Sequence, residues 1–190
     1  MLYLFIILFM MGLISGLNII FNPMYEWYIY IIYTIVLVII SVGIDGLVAT
    51  IIRAMPEKYF DYQKKVFKTS KFEMKFYKLI GVKKWKEKVP ELGMFTNFRK
   101  NKVENPKDPK YLARYILEAC YGIIIHFASV PAAYLIILCN LDLYKGQVNL
   151  SLTVCLPVAI VNAVLIVLPA FILKYNLPKL VRLYEVSKRF

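Results

Sequence analysis

The chain has 190 residues, of which 60% are hydrophobic, with a mean hydropathy of +0.61 and a formal net charge of +12. That hydropathy excludes an ordinary soluble domain. The basic excess would suit a nucleic-acid partner, but membrane topology and attraction to anionic lipid headgroups account for where it lies, so no nucleic acid is expected.

Four apolar stretches reach the roughly 20 residues needed to cross a hydrocarbon core: Leu2–Phe21, Trp27–Ile52, Tyr111–Cys139 and Leu150–Leu173. The first has no charge, the second only Asp45, and the fourth none. None shows the polar face of a soluble bundle helix. The first lacks a basic leading region and a small-x-small cleavage site, so it is read as a retained helix rather than a signal peptide. Residues 53–110 hold 17 basic and seven acidic side chains, and residues 174–190 hold five and one. The other two connections carry Glu26 alone, and Asp142 with Lys145. Positive segments stay in the cytoplasm, which places both termini and the 53–110 insertion there, with Tyr25, Trp27, Tyr28 and Tyr144 at the opposite interface.

The insertion is too long for a simple helix connection. From Phe60 to Ile80, Phe72, Phe76, Leu79 and Ile80 fall on one face with six lysines interspersed, the pattern of a basic amphipathic helix lying among headgroups. Pro90, Gly93, Pro106 and Pro109 interrupt the remainder, and Pro109 is placed to start the third span. The expected fold is therefore an all-α integral membrane protein. One membrane domain, residues 1–190, has four transmembrane helices and a cytoplasmic basic amphipathic insertion between the second and third. Cell-membrane, multi-pass localisation follows.

Ionisable groups inside a span are costly and mark candidate sites. Arg114, Glu118, Gly122 and His126, the only histidine, fall along one helical face. Glu118 and His126 are about 12 Å apart along the axis, so they cannot bond directly. Asp45 and Glu118 each lie about 12 Å from the nearest cytoplasmic basic residue, and His126 and Asn162 about 18 Å in. These depths describe a polar cavity opening from the cytoplasm. The plainer readings are a neutral imidazole bonded to a neighbouring helix, Asp45 and Asn162 as helix–helix contacts, and an Arg114 that reaches for headgroups. Cys120, Cys139 and Cys155 have no metal-ligand spacing, and neither a metal nor another cofactor is expected.

Four motifs carry a likeness to a known family. Arg53-Ala-Met-Pro-Glu-Lys-Tyr-Phe60 follows the second span, and Lys84-Trp85-Lys86-Glu-Lys88 is a basic tryptophan motif. Glu118 and His126 stand eight apart, and Lys174-Tyr-Asn176-Leu-Pro178-Lys-Leu180 closes the series. In this order they resemble the glycosyl-4,4'-diaponeurosporenoate acyltransferases of bacterial carotenoid synthesis, from about residue 50 to 183. The chain departs from the family pattern at Tyr121, Ile123 and Val167. The resemblance implies transfer of a fatty-acyl chain to a sugar hydroxyl of a lipid-linked carotenoid glycoside, so an acyl donor and that glycoside acceptor are the expected partners. His126 and Glu118 are then the catalytic candidates. Asp45, Arg53, Trp85, Arg114, Asn162 and Asn176 are candidates for substrate binding. A histidine suits the proton transfer because it titrates near working pH. The alternatives are a small four-helix transporter or proton-coupled carrier using Asp45 and Glu118, and a noncatalytic lipid-binding subunit.

Overall fold

The structure is a computed structural model that describes residues 2–89, 103–139 and 149–189. Pro90, Gly93 and Tyr144 therefore lie outside the described residues. The described chain is helical throughout. Helix α1 covers Leu2–Phe21, α2 Trp27–Arg53, α3 Lys71–Leu79, α4 Val82–Trp85, α5 Pro109–Ala132 and α6 Leu156–Ser187. Short 3-10 segments cover Glu57–Phe60 and Ala133–Cys139, and a π turn covers Ser151–Cys155. Four of these helical runs are long and apolar enough to cross a membrane: Leu4–Phe21, Trp27–Arg53, Pro109–Cys139 and Ser151–Ser187. The expected all-α fold with four helices able to span a membrane is thus observed.

Three details differ from that expectation. Pro131 lies inside α5, and the third span ends in 3-10 geometry over Ala133–Cys139 rather than as a continuous α-helix. The fourth helix continues well past Leu173 to Ser187, through Pro169 and Pro178. The amphipathic helix expected from Phe60 to Ile80 is shorter, covering only Lys71–Leu79. Residues 61–69 form turns, held by bonds such as Lys64 N–H to Asp61 O and Phe67 N–H to Lys64 O. Its start is fixed by a capping box: Glu73 N–H donates to Ser70 Oγ and Ser70 N–H donates to the Glu73 carboxylate.

The chain folds as two compact units. The first comprises Met1–Thr50 and Ala128–Ile166. Its core gathers Ile14, Tyr30, Tyr33, Leu37, Ile136 and Val154. Polar side chains stitch this apolar packing together, as expected where lipid removes the hydrophobic drive between helices. Ser15 Oγ donates to Thr34 Oγ1 at 3.1 Å, and Asn18 Nδ2 donates to both Ile14 O and Thr153 O at 2.9 Å. Thr153 lies in the π turn, whose irregular ladder leaves a carbonyl for that amide.

The second unit comprises Ile51–Phe127 and Val167–Phe190. Here α3 lies against α6: Phe76 packs edge-on and Tyr77 tilted against Phe171, and Thr69 Oγ1 donates to Lys174 O at 2.8 Å. Nearer the carboxyl end, Tyr62 OH donates to Glu185 at 3.0 Å. Gly122 brings α5 close to α6, since a Cβ there would stand 2.7 Å from Leu173 Cδ1.

Candidate functional site

The second unit holds a connected group of four charged side chains, Arg53, Glu57, Arg114 and Glu118. Glu118 on α5 is only 14% exposed at its side chain. Its two carboxylate oxygens are taken by two different guanidinium groups. Arg53 Nη1 donates to Oε2 at 2.9 Å, and Arg114 Nη2 donates to Oε1 at 2.7 Å. Arg114 Nη1 also reaches Glu57 Oε1 at 3.4 Å. Two arginines and two glutamates thus form one neutral network joining the end of α2, the following 3-10 turn and α5.

Arg114 sits one helical turn before Glu118, the spacing at which side chains on one face meet. Arg53 arrives from 65 residues away and is aimed by an aromatic platform. Its guanidinium lies over the Tyr121 ring at 5.6 Å, and Phe60 packs on the other partner of that pair with ring centroids 4.1 Å apart. The Arg53–Phe60 motif therefore acts as a unit: its first residue holds Glu118, Glu57 holds Arg114, and Phe60 supports Tyr121. His126 lies two turns beyond Glu118 on the same helix, half-buried, with Gly122 between them.

The other candidates fall in three places. Trp85 is half-buried at the end of α4, where its indole N–H donates to Ile80 O at 2.9 Å and closes the turn that links α3 to α4. Asn176 on α6 is half-buried and makes no side-chain hydrogen bond among the described residues. It follows Lys174, a buried lysine whose ammonium donates to Glu73 Oε1 at 2.5 Å. Burial by itself would raise the Glu73 pKa. The Lys174 ammonium and the Ser70 donors outweigh it and hold the carboxyl below its ordinary value. The neighbouring Tyr77 hydroxyl is pushed up to about 12 by burial and by the Glu73 charge, so it stays neutral.

Asp45 and Asn162 come together in the first unit, where Asn162 Nδ2 lies 3.5 Å from Asp45 Oδ2. Asp45 Oδ1 and the Ser129 hydroxyl are buried there, and the two side chains interact with each other. Asn162 also borders a cavity of about 60 Å³, otherwise walled by apolar side chains such as Met10, Ile14, Val42 and Val158 together with Ser41. Ser129 and Glu57 did not emerge from the sequence. Ser129 carries no signal there, whereas Glu57 lay in full view within the Arg53–Phe60 motif.

The fold and its polar residues together define a class, a multi-pass all-α membrane protein whose spans carry two carboxylates, Asp45 and Glu118, and a histidine. Comparison with known proteins sharpens that. The profile of the glycosyl-4,4'-diaponeurosporenoate acyltransferase family matches residues 62–186, about two thirds of the chain, and the chain belongs to this family. It is accordingly a membrane acyltransferase. Trp85, Arg114, Glu118, His126, Asn162 and Asn176 lie inside the matched residues, whereas Asp45 and Arg53 precede them. No curated protein and no solved structure matches the chain.

Proposed function

We propose that the protein transfers a fatty-acyl chain to a sugar hydroxyl of a lipid-linked carotenoid glycoside, with the chemistry centred on α5. Family membership supports the reaction class. The single observation that carries the placement is the Glu118 carboxylate held by Arg53 and Arg114 on the helix that also bears His126. In this reading His126 is the general base. The sugar oxygen attacks the acyl carbonyl carbon while the imidazole takes the hydroxyl proton. The tetrahedral intermediate then collapses, the bond to the donor's leaving group breaks, and that group recovers the proton.

Glu118 has both oxygens engaged, which suits a positioning role better than a proton store. It sets Arg53 and Arg114 at the end of the span, where polar parts of the substrates enter. Asn176 and Trp85 border that entrance in the proposal. The orientation proposed is the one set by the basic segments, with both termini and residues 53–110 on the cytoplasmic side of the cell membrane.

Purified protein given an acyl donor and a glycolipid acceptor should form an acylated sugar. His126→Ala should lose roughly 100-fold or more in kcat, the usual share of a general base. Unchanged turnover by that variant would remove the imidazole from the reaction.

A further inference from the structure

Helix α3 presents three distinct sectors. Glu73 and Tyr77 face inward, where they meet Lys174 and Phe171 of α6. Lys71, Lys75 and Lys78 form an exposed basic sector. Between these lies a third, apolar strip: Phe72 is 80% exposed and Leu79 86%, while Phe76, edge-on to Phe171, keeps 39%. Residues spaced by four and three share one helical face, so this is a continuous stripe rather than scattered exposure. Burying such a stripe stabilises by about 25 cal/mol per Å² of apolar surface removed from water.

The attachment point fixes the level of this stripe. Lys174 is the first charged residue after the uncharged run Leu150–Leu173, and Phe171 lies in the last turn of that run. The boundary between hydrocarbon and headgroups therefore crosses α6 at the residues that α3 grips. A helix held there by the Glu73–Lys174 ion pair lies at headgroup depth, where a basic flank meets lipid phosphates and an apolar face meets acyl chains.

We infer that α3 is an interfacial docking helix whose Phe72, Phe76 and Leu79 insert into the anionic leaflet of the same membrane that the four spans cross. The lysine sector supplies the charge complementarity, and the Glu73–Lys174 pair transmits the seating to α6. This surface is independent of the acyl-transfer chemistry, and its test does not read activity.

The experiment uses the full chain in lipid nanodiscs with tryptophan reporters, Phe72→Trp and, separately, Leu79→Trp, each measured as the difference from the parent. In discs containing phosphatidylglycerol both reporters should emit with a blue shift and lose intensity when the acyl chains are brominated. The loss should be smaller in pure phosphatidylcholine, and K71E/K75E/K78E should remove the difference between the two lipids. Three results overturn the inference: the emission of a water-exposed indole at both positions, a shielded indole indifferent to bromine, which means that protein covers the stripe, or equal quenching in both lipids. With two reporters, failure of one variant to fold leaves the other decisive.

Discussion

Glu118 is an internal anion satisfied by two cations, and its worth depends on both. A surface ion pair contributes about 0–1 kcal/mol, but a largely buried carboxylate stripped of its partners retains a desolvation cost. Arg53→Ala and Glu118→Gln should therefore be strongly non-additive. In a double-mutant cycle on kcat/KM we expect a coupling of about 1 kcal/mol or more, the range for residues sharing one network. Additive losses would mean that the two side chains act separately. The Arg114 half of this network was open to a reader of the sequence, because four-residue spacing on a helix brings side chains together. The Arg53 half was not, since nothing local reveals a contact between residues 65 positions apart. Tyr121 shows the same limit. Its role as a platform for Arg53 and Phe60 appears only when the segments are packed.

At the scale of elements, hydropathy marked the first two spans closely because lipid imposes one simple rule on every residue of a span. It stopped the fourth at Leu173 for the same reason: a lysine marks where a helix leaves the hydrocarbon, not where its hydrogen bonds end. Pro178 does not end α6 either. The opposite error befell α3, whose lysines extend well upstream of Ser70, although only the capped nine residues are helical. That cap is testable. Ser70→Ala removes the acceptor for Glu73 N–H and should cost about 1 kcal/mol, so amide exchange in α3 should speed up about fivefold. The Glu73–Lys174 clamp adds a pH dependence whose sign is fixed. The folded carboxyl titrates below its ordinary value, so its stabilisation is complete above the ordinary carboxylate range and disappears as pH falls through the folded value. A spin label at Lys78→Cys should stay immobile at neutral pH and gain mobility on acidification. Glu73→Gln should be mobile throughout.

For the whole molecule, the decisive arithmetic is that of the crossings. Four spans would return the chain to the side on which it began, and in the proposed orientation the weight of lysine and arginine in residues 53–110 and 174–190 puts that side in the cytoplasm. Each crossing carries the next: if α1 did not span, α2 would have to invert and the basic insertion would be translocated, which its net positive charge opposes. The insertion also carries Arg53, Glu57, Trp85 and the docking helix α3, so its side decides from which face the substrates' polar parts approach. Single cysteines at Lys65 and Lys188 should react with a membrane-impermeant maleimide only after the membrane is permeabilised, while Glu26→Cys, in the exposed α1–α2 connection, should react in intact cells. The native thiols serve as an internal background, because Cys120 and Cys155 are buried and Cys139 is half-buried. Labelling of Lys65→Cys in intact cells would reverse the orientation and place the Arg53–Glu118 entrance on the outer face. Labelling of Glu26→Cys and Lys188→Cys on the same side would break the four-crossing count itself, since an even number of spans cannot leave that connection and the carboxyl end together.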